Sequence, residues 1–432
     1  MSRLKSINAI IGIVVALTMV LGTSAAAYAS ANSAHSNAVR SGSCNLRIWD
    51  FFPSTQNDDE RTAFLKLAND WESSKAGGGC TVTEPIQPSG GYETPFINSP
   101  KTAGDIIMLP DDQEGVVWGD HLIAPVSLKT KDYLPDALEG AVNGGKDYAY
   151  PMFLETMMVY YNPTLIPSST FKGKYTWNTV AAAAKACVSS SKCDYGLAWQ
   201  WDNVYDDAQF LQSDPGAGYF AQTKTGFNPT KILLASKGSV AGLNYLKSTI
   251  AAAGSPVDTF LGANGGDGTA TSLFEAGKLG ILDIGPWADG EFKQIPFTNY
   301  AVAAPPYLKD GSKSYQGTPF VGVQDLVINK FSPYLSQAKS LASYLSLNVG
   351  KSMYQAGGRL PATKAQFNAL GNTAEIKAYK TALAHVRAMP NIPQMGDVWG
   401  PTGSELTLFM EGKITAQAAM NASAAAIKKA EK

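Results

Sequence analysis

The sequence predicts an α/β protein of two or three lobes with mainly parallel sheets, on three observations. The chain has 432 residues, too many for one ordinary domain. Hydrophobic residues make up 45% of it, enough to build sizeable cores. Short apolar runs alternate with amphipathic stretches along most of its length, the pattern of strands followed by helices.

Each element follows from local pattern. Leu46–Trp49 reads as a strand, and Glu60–Trp71 as a helix, because Phe64, Leu65, Ala68 and Trp71 recur at helical spacing. Asp105–Leu109 is a buried strand stopped by Pro110. Trp177–Cys187 is helical, with Asn178 or Thr179 as its cap. Gly262–Gly268 is glycine-dense but lacks the lysine of a phosphate-binding loop, and reads as a flexible loop before a helix bearing Leu273 and Phe274. Leu279–Ile284 is another apolar strand, running into Gly285-Pro286-Trp287. Leu335, Ala338, Leu341, Ala342 and Leu345 make a helix face, and the Ala-rich tail from Ser404 is helical. Between Met389 and Trp399, Pro390, Pro393 and Gly396 exclude a helix and disfavour a central strand. A shaped loop that presents Trp399 is expected there.

Arg3 and Lys5 precede an apolar run from Ala9 to Leu21, followed by Ala27-Tyr28-Ala29 and Ala29-Ser30-Ala31. Residues 1–31 therefore read as a secretory signal with a small-residue cleavage site. The alternative is a retained anchor, since Ala9–Ala29 is just long enough to span a bilayer. Residues 32–43 read as a flexible leader in either case. Export to the periplasm or the cell exterior suits the four cysteines. Cys187 and Cys193 can close a small loop, and Cys44 and Cys80 each adjoin a strand-like run. Of the three possible pairings, 44–80 with 187–193 is expected. Cys44 is a poor lipidation site, some twenty residues beyond the apolar run.

The formal charge is −1, from 35 basic and 36 acidic residues, and no basic block interleaves with aromatics, so nucleic acid is excluded as a partner. Only 16% of residues are charged, below the usual quarter, which suits a secreted and acid-exposed surface. The three histidines, His35, His121 and His385, lack metal-ligand spacing. With no nucleotide fingerprint or nucleophile elbow either, neither a cofactor nor a metal is expected.

Ligand groups in α/β sheets gather beyond the carboxyl ends of strands. Asp111-Asp112-Gln113 follows one such strand and Trp287 another, so lobes facing each other there would form a small-molecule cleft. A sugar site needs flat aromatic faces for the ring and carboxylates or amides for the hydroxyls. Trp118, Trp199, Trp201, Tyr205, Trp287 and Trp399 are the candidate aromatics, although most aromatics serve as core. Trp287 and Trp399 stand out because Gly-Pro and a proline-rich loop position them. Glu155, inside an apolar segment, needs a polar partner, and a ligand hydroxyl would serve. Asp111 and Asp112 also fit as helix-start acids. Glu155 and Asp112 as the acid and base of a glycoside hydrolase is the rival reading.

Four blocks carry a family resemblance: Met389–Trp399; Tyr150-Pro151 to Glu155 with Tyr161-Asn162; Phe274 to Gly277 with Ile284–Trp287; and Pro319–Val323. In order and spacing, from about residue 45 to 432, the chain resembles the maltose/maltodextrin-binding proteins of ABC importers. The resemblance implies a two-lobed periplasmic-binding-protein-like α/β fold (type II), with the ligand cleft between lobes joined by a multi-segment hinge. It implies an amino-terminal lobe of 44–156 and 306–360 and a carboxy-terminal lobe of 157–305 and 361–432. It makes Asp112 and Glu155 partners of sugar hydroxyls, Tyr205, Trp287 and Trp399 stacking platforms, and Met389 a lining residue. The implied protein is a monomeric receptor, not an enzyme, handing maltose or a maltooligosaccharide to permease subunits. Gln113 and Asn203 stand at implied ligand-binding positions but, like Gly400 (an aromatic in the family's best-known member), Gly403 and Leu109, they depart from that member. A different register or chain length is therefore expected, and a receptor for another oligosaccharide or a disaccharide such as trehalose is the alternative.

Overall fold

Residues 44–52, 59–84, 92–224, 226–294, 299–310 and 313–430 are described in the computed structural model; the expected signal (1–31) and leader (32–43) lie outside them. Two sheets organise the chain. The first orders the strands Leu360–Pro361, Ala149–Thr156, Phe320–Ile328, Ile106–Pro110, Asn45–Trp49 and Thr81–Thr83, with Arg387–Ala388 also paired to Phe320–Ile328. The second orders Ala301–Ala303, Met158–Tyr161, Leu279–Ile284 and Tyr195–Ala198.

Both sheets are mixed, not mainly parallel as expected. Asn45–Trp49 runs parallel to Thr81–Thr83 and Ile106–Pro110, because helices return the chain to the same end of the sheet. Phe320–Ile328 is antiparallel to Ile106–Pro110 and to Ala149–Thr156. Met158–Tyr161 is antiparallel to Leu279–Ile284 and Ala301–Ala303. Met158–Tyr161 enters directly from the first sheet and Phe320–Ile328 from the separate Tyr307–Asp310/Lys313–Gln316 hairpin, neither through a crossover helix of its own, so nothing forces them into parallel alignment. Only Met157 separates Ala149–Thr156 in the first sheet from Met158–Tyr161 in the second.

Ile106–Pro110 shows how the first sheet is buried on both faces. Ile106 and Met108 pack with Phe64, Trp71 and Leu341, whereas Ile107 and Leu109 pack with Trp49, Phe96 and Val117. Alternating side chains of one apolar run thus feed two cores. In the other lobe, helices Trp177–Ser189 and Lys237–Ala253 cover the second sheet around Trp177, Trp199, Leu243 and Leu282.

Element bounds differ from expectation where caps decide them. The predicted Glu60–Trp71 helix spans Asp59–Glu72. Thr176, not Asn178 or Thr179, caps the Trp177–Ser189 helix, its hydroxyl accepting from the Thr179 N–H. The glycine-dense segment is helical rather than a flexible loop: Gly262–Asn264 forms one tight turn, Gly265 takes a positive φ, and a helix starts at Gly266. The Met389–Trp399 segment also departs from a pure loop: Pro393–Met395 forms one tight helical turn, and Gly396–Met410 is a helix with Trp399 in its first turn. Pro401 is the sixth residue of that helix, so the helix forgoes one amide donor toward the Asp397 carbonyl there. A second helix, Ala416–Ala430, packs against it.

Cys44 is bonded to Cys80 and Cys187 to Cys193, the expected pairing. The first bond staples the beginnings of two neighbouring parallel strands, where Asn45 faces Thr81. Among the described residues no helix is long and apolar enough to cross a membrane.

Close packing gives a stability prediction. Gly242, on the Lys237–Ala253 helix, lies where an added Cβ would sit 1.9 Å from the Phe210 carbonyl oxygen. Gly242→Ala should therefore lose about 2 kcal/mol of unfolding free energy through forced separation, measured by denaturant titration; an unchanged midpoint would contradict that contact.

Candidate functional site

The segment Phe320–Val323 is the spine of the site. Val321 accepts the Met389 N–H at 3.1 Å through its carbonyl, and the Val323 N–H donates to Asp111 Oδ1 at 3.2 Å. Between them Gly322 lies opposite Glu155 across the ladder. A Cβ on Gly322 would stand 3.2 Å from Tyr205 Oη and 3.7 Å from Met389 Cε. Glycine there lets Glu155, Tyr205 and Met389 converge.

Tyr205 Oη donates to the Glu155 carbonyl at 3.0 Å, tying the second lobe's loop to the first sheet's strand. Burial, with Glu155 adding, holds this phenol well above its ordinary pKa, so it remains a donor. Its ring meets Trp287 edge-on, 6.0 Å between centroids. Trp287 occupies the Pro286–Ala288 helical turn, and its ring folds over Gly285, where a Cβ would overlap it at 1.8 Å.

On the other side, Asp112 lies in the first turn of the Asp111–Gly119 helix, where the dipole favours an anion. Trp399 Nε1 donates to Asp112 Oδ2 at 2.9 Å, so the resemblance-implied pair is in direct contact. Burial raises the Asp112 carboxyl and the indole donor opposes that rise. Gln113 is partly exposed beside it. Asn203 uses both ends of its amide within the protein: Oδ1 accepts from the Tyr205 N–H at 3.0 Å and Nδ2 donates to Asp267 Oδ2 at 3.1 Å. It shapes the loop that carries Tyr205.

Other candidates are structural. Trp199 and Trp201 are fully buried, and Trp199 Nε1 donates to Asp207. Trp118 packs edge-on against Tyr148. Asp111 is fully buried and serves the spine.

Two features escaped the sequence reading. The first is Arg359. It forks onto Glu60, with Nε to Oε1 at 2.8 Å and Nη2 to Oε2 at 3.4 Å, while Nη1 donates to Glu155 Oε1. Burial alone would lower this guanidinium, but the two carboxylates outweigh it and hold it above its ordinary value. Gln324 Nε2 donates to the other Glu155 oxygen at 3.1 Å. The available signal was a lone arginine after Gly357-Gly358. The second is a set of buried carboxyl groups behind each half of the site. Asp111 and Glu114 are buried on the Asp112 helix itself and Asp325 on the Phe320–Ile328 strand, and both Asp325 oxygens lack a hydrogen-bond partner. Asp206, Asp207 and Asp283 lie beneath the Tyr205 loop. Burial pushes Glu114 up to about 8 and raises the five aspartates well above the carboxylate range. Among the described residues no group of three or more acidic, histidine or cysteine side chains is arranged to hold a metal ion.

Known proteins share this architecture. Residues 57–351 match the family described as bacterial extracellular solute-binding protein. The galactooligosaccharide-binding protein of Bacillus subtilis (strain 168) is 26% identical over 336 residues, covering 75% of this chain and 76% of that protein. The maltooligosaccharide ABC transporter solute-binding lipoprotein of Streptococcus pneumoniae (strain ATCC BAA-255 / R6) is 28% identical over 333 residues, covering 75% of each. The structure of a Thermus thermophilus maltotriose binding protein, bound with maltotriose, superposes with a TM-score of 0.72 at 24% identity, covering 90% of this chain and 100% of that one. The matched family spans the helix carrying Asp112, the strand carrying Glu155 and the turn carrying Trp287, and on that extent the chain belongs to the bacterial extracellular solute-binding proteins.

Proposed function

We propose that the chain is the exported receptor of an ABC sugar importer, taking maltose or maltodextrin-type α-glucans into the cleft between its lobes. The observation that carries this reading is the composition of the cleft. By the lobe bounds the resemblance implies, Asp112 and Glu155 come from the amino-terminal lobe and Tyr205, Trp287, Met389 and Trp399 from the carboxy-terminal one, with Trp399 bonded to Asp112 and Tyr205 to the Glu155 backbone. Aromatic faces take the apolar side of a pyranose, and carboxylates accept from its hydroxyls. Each lobe supplies part of the set, so sugar binds the closed arrangement better and shifts the population toward it. Permease subunits then distinguish loaded from empty receptor by lobe orientation. The receptor acts as a monomer and needs no cofactor.

An enzyme reading fares worse on the chemistry of Glu155. Its carboxylate is an ion-paired acceptor of the Arg359 guanidinium, a poor setting for a group that must donate a proton. A receptor for a different oligosaccharide is the stronger alternative. The galactooligosaccharide-binding relative and the changed positions Gln113, Gly400 and Gly403 favour it. An added Cβ at Gly400 would meet nothing within 4 Å, so that rim is open where the family resemblance expects an aromatic.

A thermal-shift panel of maltose, maltotriose, cyclodextrins, trehalose, glucose and galactooligosaccharides tests the assignment. Maltotriose at 100 times its dissociation constant should stabilise the fold by about 2.7 kcal/mol and raise Tm by a few degrees. A shift with galactooligosaccharides alone would transfer the assignment to that class. No shift with any glycan would remove the receptor reading.

A further inference from the structure

We propose that Arg359 is a positioning residue that holds Glu155 as a two-pronged acceptor for adjacent sugar hydroxyls. This deepens the sugar-receptor reading and rests on it. One cation serves two carboxylates here, since the Arg359 fork engages Glu60 and its remaining arm engages Glu155. The guanidinium also lies over the Phe51 ring, 5.3 Å from its centroid, which fixes its plane.

The backbone leading to Arg359 has no room for an alternative path. A Cβ on Gly357 would fall 2.0 Å from Glu60 Oε1. Gly358 has φ +79°, and a Cβ there would fall 2.3 Å from Asp289 Cβ and 2.6 Å from the Pro286 carbonyl oxygen. The turn is therefore wedged between the Glu60 helix of one lobe and the turn carrying Trp287 of the other. Arg359 reaches Glu155 from a position that both lobes define.

The hydrogen-bond arithmetic gives the ligand chemistry. A carboxylate offers about four acceptor positions. Arg359 takes one on Oε1 and Gln324 one on Oε2, which leaves about one on each oxygen. Two acceptors a carboxylate's width apart match two hydroxyls on neighbouring carbons, a vicinal diol. Besides Arg359, the titratable or charged groups facing this pair are Glu60, Tyr205 and, across the glycine turn, Asp289.

Titration calorimetry with maltotriose at pH 5, 6 and 7.5 on wild type, R359Q and R359Q/E60Q tests this, together with melts of the ligand-free proteins. R359Q should bind about 10-fold or more weakly at pH 7.5. Its deficit should deepen toward pH 5, because two facing carboxylates without a shared cation take up a proton, and a protonated Glu155 accepts less. R359Q/E60Q should recover the wild-type pH profile. Without ligand, the Tm deficit of R359Q should shrink from pH 7.5 to pH 5, and adding E155Q should remove that dependence. A purely structural arginine would lower affinity by the same factor at every pH, with E60Q without effect; that result overturns the proposal. If R359Q does not fold, R359K decides, because it keeps the charge but loses the fork: weaker binding at near-native Tm supports the proposal, and unchanged binding overturns it. Wild type failing to bind maltotriose would remove the functional reading instead, and the ligand-free melts would still decide whether Arg359 holds Glu155.

Discussion

Thermal melts from pH 5 to pH 8 should show Tm falling by about 5 °C or more as the pH rises. The cause is the carboxyl groups buried behind the cleft, Asp111, Glu114 and Asp325 in one lobe and Asp206, Asp207 and Asp283 in the other. Burial raises each of them, with Glu114 reaching about 8. In the unfolded chain the same groups titrate near pH 4. An acid whose folded pKa lies above its unfolded value contributes its full stabilisation below the unfolded value. That contribution is lost as the pH rises through the folded value, here between about pH 4 and about pH 8. One pKa unit corresponds to about 1.4 kcal/mol. From pH 5 to pH 8 Glu114 alone loses about three such units, roughly 4 kcal/mol, the raised aspartates add to it, and a chain of this size moves about 1 °C per kcal/mol. Asp325→Asn, which removes a titrating group whose oxygens have no hydrogen-bond partner, should flatten the profile. A transition temperature that holds steady or climbs from pH 5 to pH 8 would refute this account.

If Trp287 and Trp399 are the sugar platforms proposed above, removing either should cost the most affinity. Trp287→Ala and Trp399→Ala are each expected to weaken maltotriose binding by about 2 kcal/mol, roughly 30-fold. Both indoles are partly exposed and stand at the rim of the packed core, so Tm of the ligand-free protein should move little. Trp399→Phe separates two roles. It keeps a ring face but loses the N–H bonded to Asp112, and should fall between wild type and alanine. Calorimetric titrations that leave both alanine variants at wild-type affinity would dismantle the assignment of this cleft.

Local pattern made much of the fold legible. Apolar runs such as Ile106–Leu109 and Leu279–Ile284 marked strands because burial on both faces removes polar residues from them. The sense of the strands was not legible. Whether Phe320–Ile328 runs with or against its neighbours depends on which side of the molecule the chain arrives from, a long-range fact absent from local sequence. The site divided in the same way. Asp112 and Trp399, which the resemblance places at the cleft, meet directly. Arg359 was invisible because its importance lies in Glu60, nearly three hundred residues earlier. Asn203 read as a ligand group by position, yet the folded loop occupies both ends of its amide. Nor could Asp206 and Asp207 be told from surface acids without knowing what packs over them.

The extended run from Ala149 to Tyr161, interrupted only at Met157, is one of the segments crossing between the sheets, and would serve as the pin of a door were the lobes to turn about it. When two rigid leaves turn about a pin, a point's travel grows with its distance from it. Glu155 lies on that run, two residues before the crossing at Met157, whereas Trp399 stands outside it on the Gly396–Met410 helix. A guest held first by Glu155 would therefore feel little displacement there while the outer wall sweeps toward it. Recognition can begin at the still point of the machine and be completed at its moving edge.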